Sequence, residues 1–338
     1  MILLVASDSS VAVVEEIERA VRRAGGDPSR LTAGGELAIA ARGADPARLG
    51  RPEGVRAILR AASPYPRAAR DPEARTTHTT VVRIGDVPFG GREVVLVAGP
   101  CAVESPEQVD ACARTVAAAG GRVLRGGAWK PRSSPYAFQG HGETALVWLA
   151  DAARRHGLAV VSEVLDPATV PTVAAHVDAL QIGSRNMQNA PLLRAAGRSG
   201  KPVLLKRGMS ATLDEWLLAA EYVLDAGNPH VVLCERGVRS FDPAARNLLD
   251  LAAVPLLRAR THLPIVVDPS HGVGVRSAVA PMALAAIAAG ADGVLVECHP
   301  DPGRARSDAY QALELDELAS LGVAAATVAR AVGRTLER

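Results

Sequence analysis

The chain is poor in aromatic residues and cysteine, and these scarcities narrow the class of protein. Its 338 residues include three tryptophans, four tyrosines, three phenylalanines and four cysteines. The cysteines are widely and irregularly spaced, which does not indicate a disulfide framework. No apolar run approaches the roughly 18 residues that span a bilayer, and residues 1–6 are too few for a signal-peptide core. A formal net charge of +2 is too small for a nucleic-acid-binding surface. We therefore expect a globular, cytoplasmic protein that binds neither membrane nor nucleic acid.

Lysine is the scarcest charged residue. Only Lys130, Lys201 and Lys206 are present, so arginine supplies nearly all of the 38 basic residues. Where charge alone matters, this composition uses arginine, so a lysine that remains indicates a position that needs a compact ammonium group. Lys130 and Lys206 follow strand-like segments, and we expect them to have a specific role.

Residues 1–65 are predicted to form a small α/β domain. A strand at residues 2–6 precedes a helix that is capped by Ser9 or Ser10. A second strand-like stretch follows, and Pro52 is predicted to open a short helix that reaches Ala62. This order is typical of a ferredoxin-like or ACT-like βαββαβ domain, with either a regulatory or a structural role.

A larger α/β domain is predicted at residues 81–338, after a polar linker at residues 66–80. It is predicted to begin with a hairpin whose arms, residues 81–84 and 92–95, are joined across Gly90 and Gly91. Short apolar runs then alternate with helical stretches. Eight such units in about 250 residues predict a parallel (β/α)8 TIM barrel. An open doubly wound sheet is the alternative, but no run is followed by a dinucleotide-binding glycine motif. The predicted strands are residues 94–99, 123–126, 159–164, 180–183, 203–206, 231–235, 265–268 and 293–297.

Ionisable residues follow the predicted strands, where a TIM barrel places its active site. One set is cationic and comes from the ends of four predicted strands. Because converging arginines and lysines need an anion, the set indicates a site for two phosphorylated substrates or one bisphosphate. Surface ion pairs with Glu163, Asp166 and Glu235 are the alternative explanation. The set consists of Arg125, Lys130, Arg132, Arg185, Lys206 and Arg236.

A second set is a candidate metal site. Cys101, His271 and Glu297 follow the first, seventh and eighth predicted strands, and Asp308 lies in the loop after the eighth. These strands are neighbours where a barrel closes, so their side chains can meet. A mixed sulfur, nitrogen and oxygen set suits Mn²⁺, Fe²⁺, Co²⁺ or Zn²⁺ rather than Ca²⁺. The other three cysteines are better explained by packing.

Six motifs occur in order at the predicted strand ends. They are GPCAVES at 99–105, RGGAWKPRSSPYAFQG at 125–140, QIGSRNMQN at 181–189, KRGM at 206–209, CERG at 234–237 and DPSHG at 268–272. Together they resemble the 3-deoxy-D-arabino-heptulosonate 7-phosphate (DAHP) synthases, most closely the type I beta subgroup with an N-terminal ferredoxin-like domain. The resemblance covers residues 81–315 densely and residues 1–65 in outline. Ser133 stands where the family usually has threonine, which keeps the hydroxyl group.

The resemblance implies a reaction and its components. DAHP synthases are TIM-barrel transferases that condense phosphoenolpyruvate with erythrose 4-phosphate, the first step of the shikimate pathway to aromatic amino acids. We therefore expect these two substrates, one divalent metal ion and a homo-oligomer, either a dimer or a tetramer. The N-terminal domain makes allosteric regulation an expectation, with the ligand left open.

The resemblance also implies roles for individual residues. The expected metal ligands are Cys101, His271, Glu297 and Asp308. Phosphoenolpyruvate is expected to contact Arg125, Lys130, Arg185, Lys206 and Arg236, and erythrose 4-phosphate is expected to contact Arg132, Ser133 and Asp308. The expected catalytic residues are Lys130, Cys101 and His271. We expect Lys130 to relay a proton, because neighbouring guanidinium groups should lower its pKa.

Three other interpretations stay open. The related 3-deoxy-D-manno-octulosonate 8-phosphate synthases use arabinose 5-phosphate and typically have Lys-Ala-Asn-Arg-Ser where this chain has the shorter Lys-Pro-Arg-Ser at residues 130–133. A metal-free aldolase would instead form a Schiff base at Lys206. A non-catalytic sensor would bind an amino acid in the N-terminal domain and use the barrel as a scaffold. The complete candidate metal set favours an enzyme.

Overall fold

Two units, each with its own hydrophobic core, make up the computed structural model of the chain: Met1–Pro64 and Tyr65–Arg338. No helix within the described part of the chain is long and apolar enough to cross a membrane. The described residues are 1–33, 36–59, 63–70, 79–132 and 134–336.

The first unit is a four-stranded antiparallel sheet with two helices. Its elements are β1 (Ile2–Val5), α1 (Val11–Arg23), β2 (Asp27–Ala33), β3 (Glu36–Arg42), α2 (Pro46–Leu49) and β4 (Val55–Leu59). The strand order β2-β3-β1-β4 is the predicted ferredoxin-like topology. Ser10 caps α1 by accepting a hydrogen bond from the backbone nitrogen of Val13. Ile17 and Val21 of α1 are fully buried in the same core as Leu3 of β1.

The last strand of this unit stands where a helix was predicted. The prediction of a helix from Pro52 to Ala62 is wrong, because residues 55–59 form β4 and pair antiparallel with β1. Residues 60–62 lie outside the described part of the chain. Pro52 and the alanine, arginine and leucine residues at positions 56–62 favour a helix locally. The free energy of helix propensity is small, however, compared with that of pairing along an existing strand.

Eight parallel strands of the second unit close into the predicted barrel. The strands are β7 (Val95–Gly99), β8 (Val123–Arg125), β9 (Ala159–Val164), β10 (Ala179–Ile182), β11 (Val203–Lys206), β12 (Val231–Glu235), β13 (Ile265–Val267) and β14 (Gly293–Glu297). The barrel closes between β14 and β7, where Gly293 pairs with Val95 and Glu297 with Gly99. Along β7, Val95 and Val97 belong to the interior cluster, whereas Leu96 packs in the outer cluster with the helices.

Helices follow or flank these strands on the outside of the barrel. They are α3 (Pro106–Ala118), α4 (Glu143–Arg155), α5 (Val170–His176), α6 (Ala190–Arg198), α7 (Leu213–Asp225), α8 (Ala253–Arg260), α9 (Pro269–Val273), α10 (Arg276–Ala288) and α11 (Leu315–Ala331). Their apolar faces bury the outward side chains of the strands, as a continuous parallel barrel requires.

A hairpin, β5 (Val82–Ile84) and β6 (Val87–Phe89), precedes the barrel. The predicted second arm at residues 92–95 is wrong, because the chain turns at Gly85 and Asp86 and Val95 already begins β7. The hairpin's apolar residues belong to the same buried cluster as the inward side chains of the barrel. Gly85 lies against Ala159 at the start of β9. The hairpin therefore covers the N-terminal end of the barrel and leaves the opposite end open.

Part of the predicted linker packs on the barrel. Ala68 is fully buried, and its backbone nitrogen and that of Arg67 donate hydrogen bonds to the carboxylate of Glu221 at 2.9–3.1 Å. The carbonyl oxygen of Ala68 accepts a hydrogen bond from the hydroxyl group of Thr261. Residues 71–78 lie outside the described part of the chain.

Candidate active site

The candidate site lies at the C-terminal ends of the barrel strands. Parallel strands of a barrel end at one rim, so loops that are distant in sequence meet there. Arg125, Lys206 and Glu297 are the last residues of β8, β11 and β14. Gly99 ends β7 with φ of 150°, and a Cβ at this position would collide with the carbonyl oxygen of Arg125. The close approach of β7 to β8 therefore requires glycine just before Cys101.

Four predicted ligand residues meet at this rim. One donor atom from each of Cys101, His271, Glu297 and Asp308 lies within 4.8 Å of all the others. The sulfur of Cys101 is 3.1 Å from Asp308 Oδ2, and His271 Nε2 is 3.3 Å from Glu297 Oε1. Asp308 is the one described residue other than glycine with positive φ, 51°, a conformation that aspartate tolerates at some cost. The donor chemistry fits a divalent transition metal.

Asp268 connects a candidate ligand residue, His271, to a candidate substrate residue, Lys206. Its Oδ2 lies 2.7 Å from His271 Nδ1 and 2.5 Å from Lys206 Nζ. Burial alone would raise the pKa of Asp268, but the interactions with His271 and Lys206 outweigh it and hold that pKa well below its usual value. A proton on Nδ1 that is shared with this carboxylate leaves Nε2 of His271 free to face the other three donors.

Glu297 is completely buried, and both of its oxygens have partners. Arg125 Nη1 donates to Oε1 at 3.0 Å, and Gln311 Nε2 donates to Oε2 at 2.5 Å. Burial would raise the pKa of Glu297, but His271 and Arg125 lower it below its usual value. The carboxylate form of Glu297 is thus held inside the protein.

The predicted pKa of Lys130 is wrong in direction. Lys130 Nζ donates to the carbonyl oxygen of Cys101 at 2.9 Å and lies 3.0 Å from its sulfur. Burial lowers the pKa of Lys130, but attraction by Cys101, Glu163 and Glu297 outweighs both burial and repulsion by Arg125, so the pKa is raised. Burial, reinforced by Glu297, raises the pKa of the Cys101 thiol to about 12. A metal ion that binds this thiol as thiolate must therefore release its proton.

Five of the six predicted cationic residues line one cleft beside the ligand cluster. They are Arg125, Lys130, Arg185, Lys206 and Arg236. Arg236 donates to the carbonyl oxygens of Gly237 and His271, and Arg185 makes no hydrogen bond within the described residues. The buried Nε of Arg125 also has no partner among the described residues. Together these five side chains give the cleft a positive charge that suits an anionic ligand.

The alternative explanation of the cationic set does not hold within the described residues. Glu235 pairs with Arg207 at 2.9 Å, and Arg207 is not one of the six. Asp166 instead accepts a hydrogen bond from the backbone nitrogen of Ala168. Glu163 lines the cleft itself. The carboxylates named in that alternative therefore do not form surface pairs with the cationic set.

Arg132 and Asp308, two of the three residues expected to bind erythrose 4-phosphate, line an adjoining cavity that shares Asp308 with the cleft. Arg132 lines this cavity and donates to Ser307 Oγ at 2.6 Å. Arg276 and Arg306 line it as well, so it also has a positive character. Ser133, the other residue expected to bind erythrose 4-phosphate, lies outside the described part of the chain.

Arg246 and Gln311 are among the residues that contact the ligand cluster and that sequence reasoning missed. Arg246 lines the cleft and donates to Asp308 Oδ1 at 3.2 Å, and Gln311 donates to Glu297. Arg246 lies eleven positions beyond the end of β12, in a chain where arginine is abundant, so neither its position nor its type drew attention. Gln311 has no charge, and no motif includes it.

The fold and the site define a class of protein: a (β/α)8 barrel whose open end combines a cluster of four candidate metal ligands with a cationic cleft. Residues 74–332 match the model of the DAHP synthetase I family, and the chain belongs to that family.

Curated relatives support this assignment. Phospho-2-dehydro-3-deoxyheptonate aldolase of Thermotoga maritima is 48% identical over 264 residues, which is 78% of this chain and 77% of the relative. More distant is 2-dehydro-3-deoxyphosphooctonate aldolase of Syntrophotalea carbinolica, which is 34% identical over 257 residues, 70% of this chain and 91% of the relative. The heptonate relative is thus clearly more similar than the octonate relative.

A solved structure is similar over nearly the whole chain. The crystal structure of DAHP synthase from Thermotoga maritima covers 99% of this chain and 98% of its own, with a TM-score of 0.79 and 39% identity. The similarity therefore includes both units of the fold.

Proposed function

We propose that the protein catalyses the condensation of phosphoenolpyruvate with erythrose 4-phosphate and water to give DAHP and inorganic phosphate, as the first step of the shikimate pathway. The observation that carries this proposal is the four-donor cluster of Cys101, His271, Glu297 and Asp308 directly beside the cationic cleft. The heptonate aldolase is a relative at 48% identity, which supports the same reaction.

The cleft is assigned to phosphoenolpyruvate, which carries a carboxylate and a phosphate. Guanidinium groups donate two parallel hydrogen bonds to such anions, and Arg125, Arg185 and Arg236 supply them. The two ammonium groups, of Lys130 and Lys206, add compact positive charge. Held in this way, the substrate presents its enol carbon in a fixed orientation, and the charge that shifts as phosphate leaves is stabilised.

The adjoining cavity is assigned to the phosphate of erythrose 4-phosphate. Arg132 and Ser133 are the residues assigned to this phosphate, and Asp308 lies between the cavity and the cleft. A four-carbon aldose held from its phosphate end would extend its aldehyde toward Asp308 and Lys130. This arrangement would place the aldehyde next to the enol carbon.

The proposed cofactor is one divalent ion, either Mn²⁺, Fe²⁺, Co²⁺ or Zn²⁺. Its proposed ligands are Cys101, His271, Glu297 and Asp308. When bound, such an ion supplies a Lewis acid that polarises the aldehyde carbonyl. Asp268 holds His271 in the orientation that this binding needs, and Gln311 holds Glu297.

Lys130 is assigned the role of proton donor. Its raised pKa keeps it protonated at neutral pH, so it suits a donor better than a base. As the enol carbon bonds to the aldehyde carbon, the aldehyde oxygen gains negative charge and takes a proton to become a hydroxyl group. Water then adds at C2 of the former phosphoenolpyruvate, and the phosphate group on that carbon leaves as inorganic phosphate.

The test is consumption of phosphoenolpyruvate, followed by the loss of its ultraviolet absorbance, with erythrose 4-phosphate or arabinose 5-phosphate. We expect consumption with erythrose 4-phosphate, its loss after EDTA and its return with Mn²⁺. Consumption with arabinose 5-phosphate alone would assign the octulosonate reaction instead. Activity unchanged by EDTA would exclude the metal cluster as the cofactor site.

A Schiff-base reaction is tested in the same assay. Lys206 Nζ is bound to Asp268 Oδ2 at 2.5 Å, which leaves its amine engaged in an ion pair. We therefore expect no covalent adduct on Lys206 when borohydride is added with erythrose 4-phosphate, the substrate that carries the carbonyl group a Schiff base requires. A mass increase on Lys206 would overturn the metal-dependent mechanism.

The N-terminal unit is proposed to regulate the barrel in a cytoplasmic homo-oligomer, a dimer or tetramer. A ferredoxin-like domain is a common carrier of small-ligand sites, and it has its own core here. The test is inhibition by phenylalanine and tyrosine before and after removal of residues 1–64, with mass measured by light scattering. Inhibition that survives the truncation would contradict the regulatory role.

A further inference from the structure

Arg246 bridges two loops at the candidate site. It lies between β12 and α8, and its guanidinium group reaches the loop between β14 and α11. There Nη1 donates to Asp308 Oδ1 at 3.2 Å and to Gln311 Oε1 at 2.8 Å. One side chain thus contacts a candidate metal ligand and the partner of another.

The contact with Asp308 determines which carboxylate oxygen faces the cluster. Arg246 occupies Oδ1, and Oδ2 is the oxygen that lies 3.1 Å from the Cys101 sulfur and 3.8 Å from His271 Nε2. Asp308 has a φ of 51°, which is an unfavourable backbone conformation for a residue other than glycine. Contacts with neighbouring residues are therefore needed to hold it in place. The guanidinium group supplies an external constraint on the side chain.

The contact with Gln311 fixes the direction of an amide. A guanidinium group only donates hydrogen bonds, so Gln311 must turn its oxygen toward Arg246. Its Nε2 then points the other way and donates to Glu297 Oε2 at 2.5 Å. Glu297 Oε1 consequently remains beside His271 Nε2, at 3.3 Å. Arg246 therefore influences both ligand carboxylates, one directly and one through Gln311.

The fold provides a specific place for Arg246. Its backbone nitrogen donates to the carbonyl oxygen of Val273 at 2.9 Å. Its side chain packs against Gly274, which has φ of 68°, and a Cβ added at Gly274 would collide with the Cβ of Arg246. The absence of a side chain at residue 274 is thus needed for the path of Arg246 toward Asp308.

We propose that Arg246 is a positioning residue of the metal centre, which holds Asp308 directly and Glu297 through Gln311 with one oxygen of each turned to the metal. The inference rests on the metal site of the proposed function. It assigns a task to a residue outside the six motifs.

The test is Co²⁺ binding by the full chain, read from the ligand-field and thiolate charge-transfer bands, with no substrate present. Loss of such a supporting contact typically lowers metal affinity about 10–100-fold. We expect that loss, with altered bands, for Arg246→Gln, and a smaller loss for Arg246→Lys. Gly274→Ala should produce the same change while Arg246 remains, and Arg239→Gln, an exposed arginine of the same loop, should not.

The Gln311→Leu variant tests the indirect path. Because Arg246 acts on Glu297 through Gln311, the double variant Arg246→Gln/Gln311→Leu should lose less affinity than the two single losses added as free energies. The thermal unfolding of each metal-free variant shows whether it is folded. If Arg246→Gln does not fold, Arg246→Lys is measured in its place.

The outcomes separate this inference from the proposed reaction. Unchanged Co²⁺ affinity and bands in folded Arg246→Gln would overturn the positioning role, and so would a change confined to the KM of a substrate. If the wild-type chain binds Co²⁺ through Cys101 but does not condense the two substrates, the reaction is wrong and the role of Arg246 can still be measured.

Discussion

At the scale of single residues, the two lysines of the site occupy places that suit an ammonium group. Lys206 Nζ lies 2.5 Å from Asp268 Oδ2 in a buried ion pair. Lys130 Nζ lies between the carbonyl oxygen and the sulfur of Cys101, and its side chain packs where a Cβ of Gly127 would be. At the Lys130 position, a branched planar guanidinium group would meet the backbone of Cys101 and Gly127. The scarcity of lysine is thus informative at Lys130 and Lys206, which are both buried.

Replacement of Lys130 by arginine should impair catalysis more than folding. The Lys130→Arg variant keeps a positive charge but cannot place one donor between the two Cys101 atoms beside Gly127. We expect kcat to fall at least about 100-fold, in line with the loss of a positioned proton donor. Steady-state kinetics would measure this, with Lys201→Arg as control, because the ammonium group of Lys201 donates to the carbonyl oxygen of Val177 and does not line the cleft. A Lys130→Arg variant with full turnover would contradict the proton-donor role.

Replacement of Asp268 by asparagine should affect both the metal site and stability. The change leaves the buried ammonium group of Lys206 without a counter-charge and gives His271 Nδ1 a neutral partner. We expect Co²⁺ affinity to fall about 10–100-fold. We also expect the free energy of unfolding of the metal-free chain to fall by about 3–5 kcal/mol. Co²⁺ titration and urea unfolding measure the two effects, with exposed Asp242→Asn as control. Unchanged Co²⁺ binding would show that Asp268 does not orient His271.

At the scale of elements, the periodic apolar runs were sufficient to predict the barrel. Isolated short elements outside this repeat were not predicted correctly. Four predicted strands, among them residues 159–164 and 203–206, have the observed bounds, because each is a mainly apolar run that is almost completely buried. By contrast, β4 and the second arm of the hairpin depend on their partners. The pairing of β4 with β1, and the choice of Gly85 over Gly90 as the turn, are decided by tertiary contacts.

The hairpin should contribute to stability without contributing to catalysis. Phe89 is fully buried in the interior cluster, at the end of the barrel opposite the site. Phe89→Ala should lower the free energy of unfolding by about 3–5 kcal/mol through lost burial and the cavity that remains. Urea unfolding would measure this, with Val81→Ala, an exposed residue next to β5, as control. We expect kcat of the folded variant to stay near that of wild type, and a large loss of kcat in the folded state would show that the hairpin affects the site.

The loop that carries Asp308 should show a defined pH dependence through Glu104. Glu104 Oε1 accepts a hydrogen bond from the backbone nitrogen of Arg306 at 2.8 Å, and Oε2 lies 3.7 Å from His299 Nε2. Burial would raise the pKa of Glu104, but these two partners lower it below 4.5. A lowered carboxyl pKa stabilises the fold above pH 4.5, and this stabilisation is lost as pH falls through the folded-state pKa.

The Glu104→Gln variant tests this sign. At pH 7 we expect it to unfold with a free energy about 1 kcal/mol lower than that of wild type, because a charged acceptor is lost. The difference should shrink as pH falls below about 4.5, where the wild-type carboxylate is progressively protonated. Urea unfolding at pH 7 and pH 4 would show it, with exposed Asp86→Asn as control. A difference that grows on acidification would contradict the assignment.

At the scale of the whole molecule, barrel closure is what brings the site together. Cys101 and Glu297 are almost 200 positions apart, yet they meet because β7 pairs with β14. Strand-end positions therefore predicted that Cys101, His271 and Glu297 lie close together and that five of the predicted cationic residues line one cleft. Arg246 and Gln311 could not be predicted in this way, since their positions depend on the paths of long loops rather than on strand register. The sequence pattern thus locates groups at strand ends better than it locates the groups that support them.

The boundary between the two units should be visible in truncated chains. Residues 65–70 belong to the second unit, where Tyr65 donates to Asp214 and Ala68 is fully buried. A chain of residues 65–338 should therefore unfold cooperatively and keep kcat within about twofold of the full chain, as expected for a domain with its own core.

A chain of residues 79–338 is the matched comparison. It loses the burial of Tyr65 and Ala68 and the hydrogen bonds of residues 67 and 68 to Glu221. The apolar area that Tyr65 and Ala68 bury corresponds to about 2–4 kcal/mol of the free energy of unfolding. The shorter chain should therefore unfold at a clearly lower urea concentration than the chain of residues 65–338. Both chains keep every described site residue, so kcat of the folded protein should be the same. If the two chains are equally stable, the contacts of residues 65–70 do not stabilise the barrel. The second unit would then begin, in energetic terms, only after residue 78.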